Sequence, residues 1–156
     1  MDIKDYLNEI KNHYCVSIKE YNRQIVIKNS NNEKHLVIER EECETVGSGK
    51  AYTEYIVIFQ TQHCHFEEPE DVFDYVKEIL DDEVIPTEFF DADGKDRFGG
   101  EIHAEDFPFL SIALLSKLFR IVPVDLKKLS FECHSWSGKY DLPRQPVSML
   151  TKEIMI

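Results

Sequence analysis

The residues best suited to chemistry sit near the middle of the chain. His63-Cys64-His65 sets two imidazoles two positions apart at the end of the run Ala51 to Phe66. The middle of that run, Tyr55-Ile56-Val57-Ile58-Phe59, is apolar at both parities and rich in β-branched and aromatic residues. This predicts a strand covered on both faces, near the centre of a sheet. Read as one strand, it sets Tyr55, Val57, Phe59, Thr61, His63 and His65 on one face, with Cys64 on the other. Two imidazoles so placed can share a zinc ion if a third ligand approaches from a neighbouring strand. His103, Cys133, His134, Glu67 and Glu68 are the candidates. With metal-bound water as nucleophile, the result would be a metal-dependent hydrolase. The plainer reading is a strand end where polar residues emerge into water.

Other motifs are weaker. Asp91-Ala92-Asp93-Gly94-Lys95-Asp96 invites comparison with a calcium loop, but its glycine stands fourth rather than sixth and a lysine occupies the fifth place. Asp-Gly between Phe90 and Phe98 is more simply a hairpin turn. Neither Gly47-Ser48-Gly49 nor His134-Ser135-Trp136-Ser137-Gly138 forms a nucleophile elbow, and the chain has no phosphate-cradling glycine motif. The four cysteines (Cys15, Cys43, Cys64, Cys133) lack CxxC spacing, which suits reduced, mostly buried thiols. Trp136, with Tyr140 and Tyr52, suits either an interface anchor or a plug at one end of the core.

Charge is the unusual total. The chain has a formal net charge of -12. Sixteen of its 30 acidic residues, but only three of its 18 basic ones (Lys77, Lys95, Arg97), fall between Glu67 and Asp106. That segment therefore carries the whole excess. Such a field disfavours nucleic acid and anionic membranes, and favours a basic protein partner or metal cations.

The elements that must position these residues read as α+β. Asp2 to His13 has Ile3, Tyr6, Leu7 and Ile10 at helical spacing, with Asp2 as N-cap. Val16–Tyr21, Gln24–Lys28 and Lys34–Arg40 read as strands separated by Asn-rich turns. With the Ala51 strand they make a four-stranded antiparallel meander. Glu68 to Asp82 is the clearest helix. Pro69 opens it, Val72, Phe73, Val76, Ile79 and Leu80 form its apolar stripe, and Glu70, Asp71, Asp74, Lys77, Glu78 and Asp81 line an outer face that is almost entirely negative. Its acidic last turn opposes the helix dipole, so this end should be weak or matched to a cation.

Thr87 to Ile102 predicts a hairpin, with Gly99-Gly100 as a bulge or a close backbone approach. Phe107 to Arg120 predicts a helix apolar nearly all round, buried on several sides or in an oligomer contact, and ended by Pro123. Leu126 to Ser135 predicts a further strand. Leu142 to Ile156 has little periodicity and reads as a loosely held tail. At 156 residues without a linker, the expectation is one α+β domain over 1–156, its antiparallel sheet packed by about three helices. The N-terminal stretch has no secretory pattern, and the longest apolar run is short of the ~20 residues of a bilayer span. A cytoplasmic location is expected.

The small, acidic α+β profile without a catalytic motif resembles that of bacterial immunity or inhibitor proteins. The likeness is one of composition and size, and it carries over no residue. It implies a non-enzymatic module that captures a basic toxin or nuclease without a cofactor. Glu70, Asp71, Asp74, Glu78 and Asp81 of the helix and Asp91, Asp93 and Asp96 of the hairpin would meet that partner. Two alternatives stay open: the zinc enzyme built on His63 and His65, and a homodimer formed through the Phe107–Phe119 helix.

Overall fold

The computed structural model describes residues 2–150. Its contacts divide the chain between Asp81 and Asp82 into two compact units. Together these hold a five-stranded and a four-stranded antiparallel sheet with four helices, an α+β fold. Among the described residues no helix is long and apolar enough to cross a membrane.

In the first unit Asp2 caps α1 (Ile3–His13). Its carboxylate accepts from the Asp5 amide at 3.0 Å, and the Asp5 carboxylate accepts from the Asp2 amide at 3.1 Å. Five strands follow in meander order: β1 (Val16–Glu20), β2 (Gln24–Asn29), β3 (His35–Glu44), β4 (Ala51–Phe59) and β5 (Gln62–Phe66). α2 (Pro69–Leu80) completes the unit. One sheet face is the core face, where Ile27, Leu36, Ile38, Tyr55, Val57 and Phe59 are buried. Leu7 and Ile10 of α1 and Val72, Phe73, Val76, Ile79 and Leu80 of α2 are buried as well, and Tyr6 stacks on Phe73 with ring centroids 4.9 Å apart. Burying each such side chain is worth about 1.5–3 kcal/mol.

The meander has five strands, not four. The run Ala51–Phe66 turns back on itself at Gln60-Thr61, where Gln60 adopts a left-handed φ of 57°. Directly paired residues share a face, and Ile58 pairs with His63 and Ile56 with His65. The two histidines therefore lie on the face of Ile56 and Ile58, opposite Tyr55, Val57 and Phe59. That outer face is not fully covered, and Ile56 and Ile58 are only half-buried.

β3 and β4 also outrun their neighbours. β2 pairs with β3 only as far as Glu39, and β5 pairs with β4 only from Tyr55. Glu41–Glu44 and Ala51–Glu54 thus pair with each other alone, as a two-stranded ribbon tipped by the 45–50 loop.

The second unit is built on β6 (Val84–Phe90), β7 (Asp96–His103), β8 (Ser130–Cys133) and β9 (Leu142–Pro146), in the order β7-β6-β8-β9. Every residue of the central strand β6 is buried. One face carries Ile85, Phe89, Ile102, Phe131 and Cys133, which form a core with Ile112 and Leu115 of α3 (Ile112–Phe119), Leu126 of α4 (Pro123–Leu126) and Val147. Gly100 is the close approach foreseen from its sequence. A Cβ there would lie 2.5 Å from Phe119 Cε1, and the Phe119 ring meets Phe89 edge-on at 4.9 Å. The ladder also shifts register between Phe89 and Phe90, where Arg97 is the extra residue on β7.

The expected helix over 107–120 is shorter. Phe107–Phe109 is one 3₁₀ turn, and α3 starts only after Ser111, whose hydroxyl accepts from the Leu114 amide at 3.0 Å. Arg120, at φ 55°, ends it. Pro123 does not stop this helix; it opens α4, a first-turn position that suits proline. The strand expected from Leu126 starts at Ser130. Leu142–Pro146 is an edge strand on β8, and Val147 beyond it is fully buried. Of the expected loose tail, residues 151–156 lie outside the described residues.

Candidate functional site

The acidic residues of α2 form a continuous stripe. At about 100° per residue, Glu70, Asp71, Asp74, Glu78 and Asp81 fall within about 100° of arc, opposite the buried stripe from Val72 to Leu80. Glu78 is half-buried and the other four are exposed. The helix has one cation, Lys77, and its ammonium turns to Glu9 of α1 at 2.7 Å. That hydrogen bond holds the Glu9 carboxyl below its usual range and raises Lys77. Among the described residues, Glu70, Asp71, Asp74 and Glu78 make no ion pair. Their field is felt nearby, since the Tyr6 phenol is raised first by burial and then by Glu70 and Asp74.

Asp81, the C-cap of α2, is met by a neutral donor rather than by a cation. Asp81 Oδ1 accepts from the Tyr14 hydroxyl at 2.9 Å. Asp82, in the left-handed conformation, accepts from both the amide and the hydroxyl of Ser137.

The 91–96 turn is different. Asp91 Oδ1 accepts from the amides of Asp93 and Lys95, each at 2.9 Å, so this carboxylate holds the hairpin turn together. Asp93 and Asp96 are exposed, in a stretch that also exposes Lys95 and Arg97. Charge is partly balanced there within a few residues.

His63 and His65 meet edge-on with ring centroids 5.5 Å apart. Their neighbours within the first unit are on β3 and β4. His65 Nδ1 lies 2.7 Å from Glu54 Oε1, and Glu54 Oε2 lies 3.8 Å from Cys43 Sγ. Glu41, Cys43 and Glu54 each offer one ligand atom, all within 4.8 Å of one another. Burial is the largest cause raising the Cys43 thiol, with Glu54 and Glu41 adding to it and the Tyr52 hydroxyl opposing it. A thiol, two carboxylates and an imidazole converging on one sheet face are a donor set for a transition-metal cation.

Sequence reasoning missed Glu41, Cys43 and Glu54. The available signal was the i, i+2 spacing of Glu41 and Cys43 on a strand, with Glu54 across the hairpin that turns at 45–50. The third ligands proposed from the second unit have the following surroundings within it. Cys133 is fully buried beside the Thr87 hydroxyl at 3.4 Å, and burial pushes its thiol up to about 11. His134 pairs with Glu132 at 3.4 Å. His103 is exposed on β7, two residues from Glu101, whose carboxyl is raised by burial.

The second unit brings together a further polar group. Glu132 lies directly opposite the buried Glu88 and also meets Arg144 at 3.5 Å, while Arg144 stacks over the Phe90 ring at 3.4 Å. Ser135 and Ser137, the hydroxyls near the failed elbow motif, bond to Tyr140 and Asp82, and Trp136 is buried. A groove of about 560 Å³ lined by Asp91, Arg97, Phe98, Asp125 and Lys128 opens in the same unit, and none of the residues just named lines it.

Compared with known proteins, the chain matches no family model, no curated protein and no solved structure.

Proposed function

We propose that the protein is a non-enzymatic binding module that captures a basic protein partner through the outer face of α2, in the manner of an inhibitor that neutralises a toxin or nuclease. One observation carries this reading: Glu70, Asp71, Asp74, Glu78 and Asp81 share one helix face, and the helix's only cation is turned away to Glu9. A rigid stripe of one sign gathers an oppositely charged partner by long-range attraction, which raises association rates by about 10–10³-fold and fades with salt. The hairpin adds less, because Asp91 is committed to its turn and Lys95 and Arg97 flank the other two carboxylates.

The test is affinity capture with the native chain, followed by stopped-flow association of the captured partner. The triple variant Asp74→Lys, Glu78→Lys, Asp81→Lys is expected to associate at least tenfold more slowly at low salt, with a flattened salt dependence. Equal rates for native and variant chains over the whole salt range would remove α2 as the binding face.

A further inference from the structure

We propose that Glu41, Cys43 and Glu54, on the outer face of the β3–β4 ribbon, bind a thiophilic divalent cation of the zinc class, with His65 orienting Glu54. Nothing in this depends on the acidic face of α2.

Register gives the first argument. Glu41 and Glu54 are directly paired across the two strands. Like charges so placed destabilise a sheet. Among the described residues no lysine or arginine pairs with either one, and the imidazole of His65 is the one group of opposite character bonded to Glu54. The chain holds two carboxylates together at a place where its own cations do not offset them.

The chemistry of the donors gives the second. Cys43 lies two residues from Glu41 on the same face and 3.8 Å from Glu54. Three donor atoms within 4.8 Å of one another suit ligands around a single ion. Two carboxylates alone would suit calcium or magnesium, whereas a thiolate among them selects a softer metal. His65 donating from Nδ1 to Glu54 is the outer-shell hydrogen bond that fixes a ligating carboxylate.

Position gives the third. All three groups belong to the ribbon, where β3 and β4 pair only with each other. An isolated two-stranded ribbon is marginal in water. A cation bridging β3 to β4 would fasten it.

The experiment titrates the reduced, full-length protein with cobalt(II), which reports thiolate ligation by a near-ultraviolet charge-transfer band. One equivalent is expected to give the band, and zinc is expected to displace it. Cys43→Ser should abolish the band, while Cys15→Ser and Cys64→Ser keep it. Glu54→Gln provides a second variant on a half-exposed site, read by affinity and by the zinc-induced rise in unfolding midpoint. His65→Ala should weaken binding by roughly 10–100-fold. The proposal is overturned if the native protein gives no band, or if the band survives Cys43→Ser. It is equally overturned if zinc raises the unfolding midpoint as much in Glu54→Gln as in the native chain.

Discussion

The hydroxyl of Tyr14 donates to Asp81 Oδ1 at 2.9 Å, which joins the residue that ends α1 to the residue that ends α2. A carboxylate at a helix C-terminus faces the negative end of the dipole, so this donor offsets an unfavourable placement. Tyr14→Phe keeps the ring and removes the donor. It is expected to cost about 1 kcal/mol, the net worth of a single hydrogen bond, read as a lower denaturation midpoint at unchanged slope. An unchanged midpoint would mean that water serves Asp81 equally well.

Gly100 and Phe119 are matched by shape. A methyl group at 100 would press on the ring edge at 2.5 Å, so Gly100→Ala forces Phe119 out of its place against Phe89. Overpacking of this kind costs about 1–3 kcal/mol. The cost should shrink when Phe119→Leu is made first. A double-mutant cycle showing no coupling between the two positions would sink this account.

The Glu9–Lys77 pair ties α1 to α2 and fixes a pH dependence. Glu9 has a lowered pKa in the folded chain, so its contribution is complete above the unfolded carboxyl value of about 4.3 and is lost as pH falls through the lowered value. Lys77 has a raised pKa, so its contribution is complete below about 10.4 and is lost as pH rises through the raised value. The stability difference between the native chain and Glu9→Gln should therefore be flat from about pH 5 to 10 and shrink on both sides. Urea titrations across that range measure it. A difference that stays constant down to pH 2 would contradict the pairing. Both partners are partly exposed, so added salt should also reduce the difference.

Much of this architecture is legible in the sequence, and the gaps have physical causes. α1 and α2 announce themselves through apolar spacing and through Asp2 and Pro69 at their starts, because a helix is specified locally. The acidic stripe was legible for the same reason, since five carboxylates at helical spacing need no distant partner to share a face. The turn at Gln60-Thr61 was hidden, as neither residue is a usual turn former and Gln60 takes its left-handed conformation without glycine. Missing it put His63 and His65 on the wrong side of the sheet. The break before α3 was signalled by Pro108 and Ser111 but masked by the unbroken apolar pattern around them. β9 carries two prolines, which an edge strand tolerates because it has a neighbour on one side only, and it lies at the sheet's edge. The Glu41–Cys43–Glu54 group depends on register across a loop, a relation that no local pattern encodes.

The protruding β3–β4 arm has one more consequence. Its flanks present amide and carbonyl groups without a third strand to take them, the arrangement by which extended chains stack into larger assemblies. Glu41, Glu42, Glu44 and Glu54 crowd those flanks with like charge. Two such arms brought side by side would set glutamate against glutamate, which opposes that pairing.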